Sequence, residues 1–155
     1  IRMNPTKKPF KIKPPYIAFL LLFLSWLADY FFPQFKFISG NYKNIGIFVF
    51  LIGISLLLWS FYTFKKNKTP IIPGQKPTFM VAQGPYKFTR NPMYLGVIIA
   101  LFGAAIYIGN LLSLLSPIIF FIIMNFVFIP FEEKLMEKIF KKQYINYKRK
   151  VRRWL

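Results

Sequence analysis

The chain has 155 residues, is 55% hydrophobic and 21% aromatic, and has a mean hydropathy of +0.43, a balance that excludes an ordinary water-soluble core and points to a membrane protein. Its net charge of +18 comes from 22 Lys and Arg against four acids; because the cations flank apolar runs rather than stripe a soluble face, the expected partners are anionic lipid head groups and not nucleic acid. With no Cys and no His, thiol catalysis, disulfides, thiolate or imidazole metal sites and any triad using a His base are excluded, and no metal site is expected.

Residues 1–15 form a basic arm carrying Arg2, Lys7, Lys8, Lys11 and Lys13, broken by Pro5, Pro9 and Pro14; Ile1 and Arg2 read as residues ahead of a native start at Met3. Tyr16 to Phe32 is the first apolar run, read as a retained transmembrane helix with Asp29 at the far membrane surface. After a polar turn, Ile45 to Phe64 gives a second run of twenty residues, about 30 Å as a helix and enough to cross the hydrocarbon core. Residues 16–64 are therefore a first hairpin.

The loop at 65–91 is long and rich in Pro and Gly, as loops that cap a site often are; Phe79, Met80 and Val81 are expected to dip back onto the bilayer or the bundle. Pro92 to Ile108 and Leu111 to Phe131 are the third and fourth runs. Only Gly109 and Asn110 separate them, so residues 92–131 form a second antiparallel hairpin. Pro117 predicts a kink in the fourth run. Gly96, Gly103, Ala104 and Ala105 give the third helix small positions for close helix packing. The tail at 132–155 has apolar residues at helical spacing with cations opposite, the pattern of an amphipathic helix lying in the interface.

The fold class is thus all-α: a single domain of four transmembrane helices in two hairpins plus a C-terminal amphipathic helix. Orientation follows from the cations, which stay cytoplasmic when close to spans. The arm holds five, the central loop six and the tail nine, whereas the first connection has only Lys36 and Lys43. Both termini, the central loop and the start of the third helix are accordingly placed on the cytosolic side.

The chemistry gathers in residues 84–96, GPYKFTRNPMYLG. Asn91 is a good helix N-cap and Pro92 suits the first helical position. The helix start leaves unpaired N–H groups beside Arg90, Tyr86 and Tyr94, where an anionic group can be held. Glu132 and Glu133 follow the fourth run and should return to the same surface. Two readings of them compete: a helix restarted at Pro130 places both in its first turn, where the dipole favours them, or the pair faces Arg90 and receives a cationic ligand. Tyr86 and Tyr94 also fit an interfacial aromatic belt, and Arg90 a topology signal.

The order G-P-Y, then R-N-P-M-Y-x-G at the start of a span, then E-E after the next span and a closing Y-x-x-Y-x-x-x-V-x-R-W, resembles the isoprenylcysteine carboxyl methyltransferase and phospholipid methyltransferase superfamily of membrane enzymes. The resemblance covers roughly Pro77 to the end. It implies an S-adenosylmethionine-dependent methyltransferase working at the cytosolic face, with Gly84, Pro85, Tyr86, Arg90, Asn91, Pro92, Tyr94, Glu132 and Glu133 around the cofactor and Arg90, Glu132 and Glu133 as catalytic groups. Asn91 stands where many members have His; Asn keeps the hydrogen bonding but cannot titrate. The implied acceptor is a lipophilic or prenylated molecule bearing a carboxylate. The alternatives are N-methylation of a phospholipid head group and, outside catalysis, a small four-span membrane protein; a membrane reductase is disfavoured because no second cofactor signature is present.

Overall fold

A computed structural model describes residues 12–38, 40–67 and 79–155. Among these residues the regular secondary structure is all helical, apart from an isolated β-bridge between Lys36 and Asn110. Most of the basic arm and residues 68–78 of the central loop lie outside the described residues, so the expectations for them concern parts not described here.

The first helix, α1, spans Pro14–Phe31, and α2 spans Lys43–Lys66. The second encloses its predicted run and extends it by two residues at each end, whereas α1 starts two residues before its predicted run and stops one residue short of Phe32. After a short 3-10 turn at Gly84–Lys87, α3 runs over Pro92–Ile108 and ends at Gly109, whose φ of +76° makes the left-handed cap that glycine favours. A 3-10 turn at Leu111–Leu114 leads into α4, Leu115–Ile123; a π turn, Met124–Phe128, joins α4 to α5, Ile129–Lys150. Three helical stretches are long and apolar enough to cross a membrane, Pro14–Phe31, Gly40–Lys66 and Leu111–Lys150, while α3 is apolar but shorter, at 17 residues.

Burial follows the logic of a lipid solvent. In α2 the buried residues are Gly46, Gly53, Ser60 and Thr63, while Phe48, Leu51, Leu58, Trp59 and Tyr62 are exposed. Water would favour the reverse. In hydrocarbon, large apolar side chains gain nothing by turning inward, and helices associate through close backbone approach. The glycines supply that approach. Gly46 and Gly53 on α2 lie against Gly103 and Gly96 on the antiparallel α3, each pair seven residues apart. A Cβ at Gly96 would stand 2.8 Å from both the Gly53 carbonyl oxygen and the Leu57 nitrogen, so the two backbones are already in contact. A seven-residue repeat of small side chains keeps one seam facing its partner over both contacts.

On the other side of α3, Leu21, Leu101, Phe120, Met124, Phe128 and Ile129 form the apolar core, with Tyr94 and Trp154 packed against it. At the end away from the cations, fully buried Asn110 accepts from the Leu112 N–H at 3.0 Å and donates to the Phe32 carbonyl at 2.9 Å, and Ser113 donates to the Ser25 carbonyl. Asp29 pairs there with Lys36 at 3.1 Å, a contact that ties the connection to α1.

Three local expectations differ from the structure. Pro117 causes no kink in mid-helix, because α4 begins at Leu115 and the proline falls in its first turn, where a missing N–H is tolerated; the irregularity comes later, at the π turn. Pro130 restarts no separate helix, since Ile129 has helical φ and ψ and the chain is helical straight through from α4, leaving no free helix start for Glu132 and Glu133 to neutralise. The tail is not one straight helix. It breaks at Lys141, with φ +47° and ψ −123°, and doubles back so that Lys148 reaches Glu137 and Arg153 reaches Glu133. Met80 and Val81 do fold onto the bundle and are buried, whereas Phe79 is exposed.

Candidate active site

Antiparallel pairing of α3 with α4 sets the start of α3 beside the α4–α5 junction, and the doubled-back tail closes over both. The Tyr94 hydroxyl, in the first turn of α3, donates to Glu132 Oε1 at 2.7 Å. Glu133, one residue on and turned about 100° around the helix, faces cations instead. Arg153 grips it through Nε at 3.1 Å and Nη2 at 2.8 Å, Arg90 Nη1 lies 3.1 Å from Oε1, and Lys148 stands 3.8 Å from Oε2. The Arg90 and Glu133 side chains are each only 9% exposed. Hydrogen bonding to Glu133 holds the Arg153 guanidinium above its ordinary range.

Arg90 is incompletely satisfied. Its Nη1 is close to Glu133 but not aligned for a hydrogen bond, and both Nη1 and Nε are buried with no hydrogen-bond partner. Buried donors left this way are uncommon and mark a place where another acceptor fits. Glu132 is the complementary case. Among the described residues no cation lies within ion-pair distance of it; burial pushes its carboxyl up to about 7, the Tyr94 hydrogen bond pulls it down and the Glu133 charge raises it. A half-buried carboxylate with no cation in ion-pair range among the described residues is thus the sequence neighbour of Glu133, which faces a buried guanidinium with spare donors.

The segment before α3 is positioned by the tail backbone. The Arg90 N–H donates to the Arg152 carbonyl at 3.0 Å, and the Thr89 hydroxyl to the Arg153 carbonyl at 3.1 Å. Asn91 precedes α3 as expected, but its side chain makes no capping bond; its Nδ2 donates to the Arg153 carbonyl at 3.0 Å, while the Thr89 hydroxyl accepts from the Asn91 N–H. The tail carbonyls need donors, and the Asn91 amide supplies one.

Tyr86 is buried, its ring 4.9 Å from that of Phe64 on α2, and its carbonyl accepts from the Tyr147 hydroxyl at 2.7 Å. Burial foremost, then the neighbouring Tyr147 and Glu132, hold the Tyr86 hydroxyl far above its usual range. Gly84 adopts φ +57° to carry the chain past α2, where an added Cβ would meet Thr63 Oγ1 at 3.0 Å. Gly84 and fully buried Pro85 therefore shape the loop on α2 rather than face the charged groups, and Pro92 is buried at the start of α3. Of the residues expected at the site, the polar cluster includes Arg90, Asn91, Tyr94, Glu132 and Glu133, with Tyr86 at its edge.

Sequence reasoning missed Thr89, Asn125, Tyr144, Lys148 and Arg153 as parts of this cluster. Burial pushes the Tyr144 hydroxyl up to about 12, the Glu133 charge adds to that rise and Arg90 opposes it, which puts Tyr144 in the same field. A signal existed for Asn125, the one polar side chain between Ser116 and Glu132. Arg153 and Tyr144 lie in the closing motif, but their cationic and aromatic neighbours gave no reason to single them out.

An apolar groove of about 360 Å³, lined by Ile98, Phe102, Leu114, Pro117, Ile118 and Phe121, opens between α3 and α4. Ile98 is one helical turn along α3 from Tyr94, so the groove and the polar cluster share a helix face.

The chain is 41% identical over 63 residues to an uncharacterized protein of Haemophilus influenzae, a stretch that covers 41% of this chain and all of that protein. It is 27% identical over 140 residues to protein-S-isoprenylcysteine O-methyltransferase B of Arabidopsis thaliana, covering 87% of this chain and 70% of that protein. Residues 42–143, which hold the α2–α3 seam, the Arg90 segment and both glutamates, match the phospholipid methyltransferase family, and the chain belongs to that family of membrane methyltransferases.

Proposed function

We propose that this protein is an S-adenosylmethionine-dependent methyltransferase with four spans and both termini in the cytosol, acting at the cytosolic face on a lipophilic acceptor. The observation that carries the reading is that Arg90, with two buried donors unsatisfied, faces Glu133, while the adjacent Glu132 is bonded to Tyr94 and has no cation in ion-pair range among the described residues. This donor set fits the methionine end and ribose of the cofactor. Arg90 and the start of α3 would hold a carboxylate, and Glu132 would pair with an ammonium or accept from hydroxyls. S-adenosylmethionine supplies, when bound, a methyl group already activated on a sulfonium.

The chain's own task is then alignment and exclusion of water, which needs neither His nor metal. Glu133 fixes the Arg90 guanidinium from one side while Arg153 and Lys148 hold Glu133, so its role is positioning. Tyr94 orients the Glu132 carboxylate. The doubled-back tail covers the cluster and limits access of water. The apolar groove between α3 and α4 supports arrival of the acceptor from the bilayer, with its hydrocarbon portion along Ile98 and Phe102.

Twenty of the 22 cations fall outside the first connection, which supports the cytosolic placement of the site. The 17 residues of α3 reach about 26 Å, and tilt or local thinning of the bilayer accommodates the remainder. Because the chain has no Cys, single-cysteine variants at Gly40 and Lys150 report topology cleanly; labelling of both from the same side of sealed vesicles would refute it.

Titration of the purified protein in detergent with S-adenosylmethionine tests the function. Saturable binding weakened by Glu132→Ala and by Arg90→Ala is expected; its absence, or indifference to both substitutions, defeats the reading. The acceptor follows from incubation with lipid extract and labelled cofactor. A product labile to mild base is an ester, which the excess of cations over carboxylates around Arg90 and the Arabidopsis relative support. A base-stable product is an N-methylated head group.

A further inference from the structure

Asn125 lies in an otherwise apolar stretch of the chain, where a polar side chain is costly unless it is satisfied. Its environment is specific. Oδ1 accepts from Trp154 Nε1 at 3.0 Å and from Arg153 Nη1 at 3.2 Å, so one oxygen holds two consecutive residues of the tail. It sits in the π turn Met124–Phe128, an element often found at functional sites, which carries an extra residue and so resets the facing of α5 relative to α4.

The two tail residues it holds point to different places. Arg153 continues to Glu133 with two further bonds, and the Trp154 ring lies 5.0 Å from that of Phe121, a wall of the apolar groove. The backbone between them reaches the segment before α3, since the carbonyls of Arg152 and Arg153 take the donors of Arg90, Thr89 and Asn91. Where the strap Arg152–Trp154 sits therefore decides where Arg90 sits.

We propose that Asn125 is a positioning residue for the methyl-donor site: by anchoring Arg153 and Trp154 it fixes the strap that holds Arg90 in register with Glu133. This rests on the reading that the cluster binds S-adenosylmethionine. Only the acceptor oxygen of Asn125 is required, so aspartate substitutes for it and an apolar isostere does not.

The test compares Asn125→Leu, Asn125→Asp and Trp154→Phe in detergent. Two quantities are measured: the dissociation constant for S-adenosylmethionine and the rate at which trypsin releases the segment after Lys150. Asn125→Leu is expected to weaken binding by about tenfold and to speed release, and Asn125→Asp to stay within about threefold of the parent in both. Trp154→Phe keeps the ring on Phe121 but loses the N–H, and is expected to weaken binding about threefold; it decides the matter if Asn125→Leu does not fold. Unchanged binding in Asn125→Leu, released strap with unchanged binding, or an aspartate variant as weak as the leucine variant overturns the proposal. If the parent shows no saturable binding, the methyltransferase reading fails and this inference falls with it. Parent binding with an indifferent Asn125→Leu removes the inference alone.

Discussion

Tyr94 and Glu132, 38 residues apart in sequence, meet through a 2.7 Å hydrogen bond, while Glu133, adjacent to Glu132, is gripped by Arg153 and faces Arg90. Neighbouring carboxylates on one helix thus have opposite environments. One is neutralised by cations and buried as part of the scaffold; the other is half-buried and bonded to a neutral hydroxyl, with no cation in ion-pair range among the described residues.

That contrast gives Glu132 an unusual pH signature. Its ordinary value of 4.5 rises to about 7 in the folded chain, so between these limits the folded protein keeps a proton that the unfolded chain has lost. The stability linked to this group is therefore fully present below about pH 4.5 and is lost as pH rises through about 7, opposite to a salt-bridged carboxylate. Thermal unfolding in detergent from pH 5 to 8 should show this fall in the parent and a flatter profile in Glu132→Gln. Identical slopes would dismiss it. Binding of a cationic donor at Glu132, as proposed, should run the other way and be about tenfold weaker at pH 6 than at pH 8, because it requires the carboxylate.

Glu133 predicts a different defect. Its removal leaves Arg90 and Arg153 facing each other without their shared anion, and breaking a buried ion pair this way costs about 3 kcal/mol. Glu133→Ala should lower the unfolding midpoint clearly, whereas Glu132→Gln should keep or raise the midpoint at pH 7 and lose donor affinity. The two variants, compared by unfolding and by S-adenosylmethionine titration, separate positioning from contact; equal loss of stability in both would show that the division is wrong.

Much of this arrangement was legible in the sequence because lipid-facing helices announce themselves by length and apolarity. α3 was read to the residue, since Pro92 and Gly109 punctuate both of its ends. Arg90, Tyr94, Glu132 and Glu133 could be brought together from topology, because a two-residue turn forces α3 and α4 to be antiparallel. The tail was read less well. Its hairpin turns at Lys141, a residue with no preference for positive φ, so no local signal marked the reversal that brings Arg153 back to Glu133. The different surroundings of the two glutamates were likewise hidden, because they depend on which side of the helix the tail covers.

The glycine seam makes a prediction about packing. A Cβ at Gly53 would lie 2.6 Å from the Gly96 carbonyl oxygen, so α2 and α3 must separate to admit it. Gly53→Ala should destabilise by about 2 kcal/mol through overpacking. Leu51→Ala, on the exposed side of the same helix, should cost less than about 0.5 kcal/mol. Unfolding curves of the two variants check this, and a Leu51 variant as damaged as the Gly53 variant would mean that the seam is not what holds the helices.

The reversal at Lys141 predicts a gain. A side chain at φ +47° and ψ −123° is held in a region that glycine occupies freely and L-residues avoid, at a cost of about 1 kcal/mol. Lys141 is exposed, and its charge is one among several in the tail, so glycine there removes strain with little loss of contact. Lys141→Gly should raise the unfolding midpoint and slow tryptic release of the segment after Lys150, because the hairpin that returns Arg153 to Glu133 becomes easier to form. Lys141→Ala keeps the strain while removing the same cation, and should give no such gain. If alanine stabilises as much as glycine, the benefit comes from relieving charge repulsion, and the backbone at Lys141 is not strained.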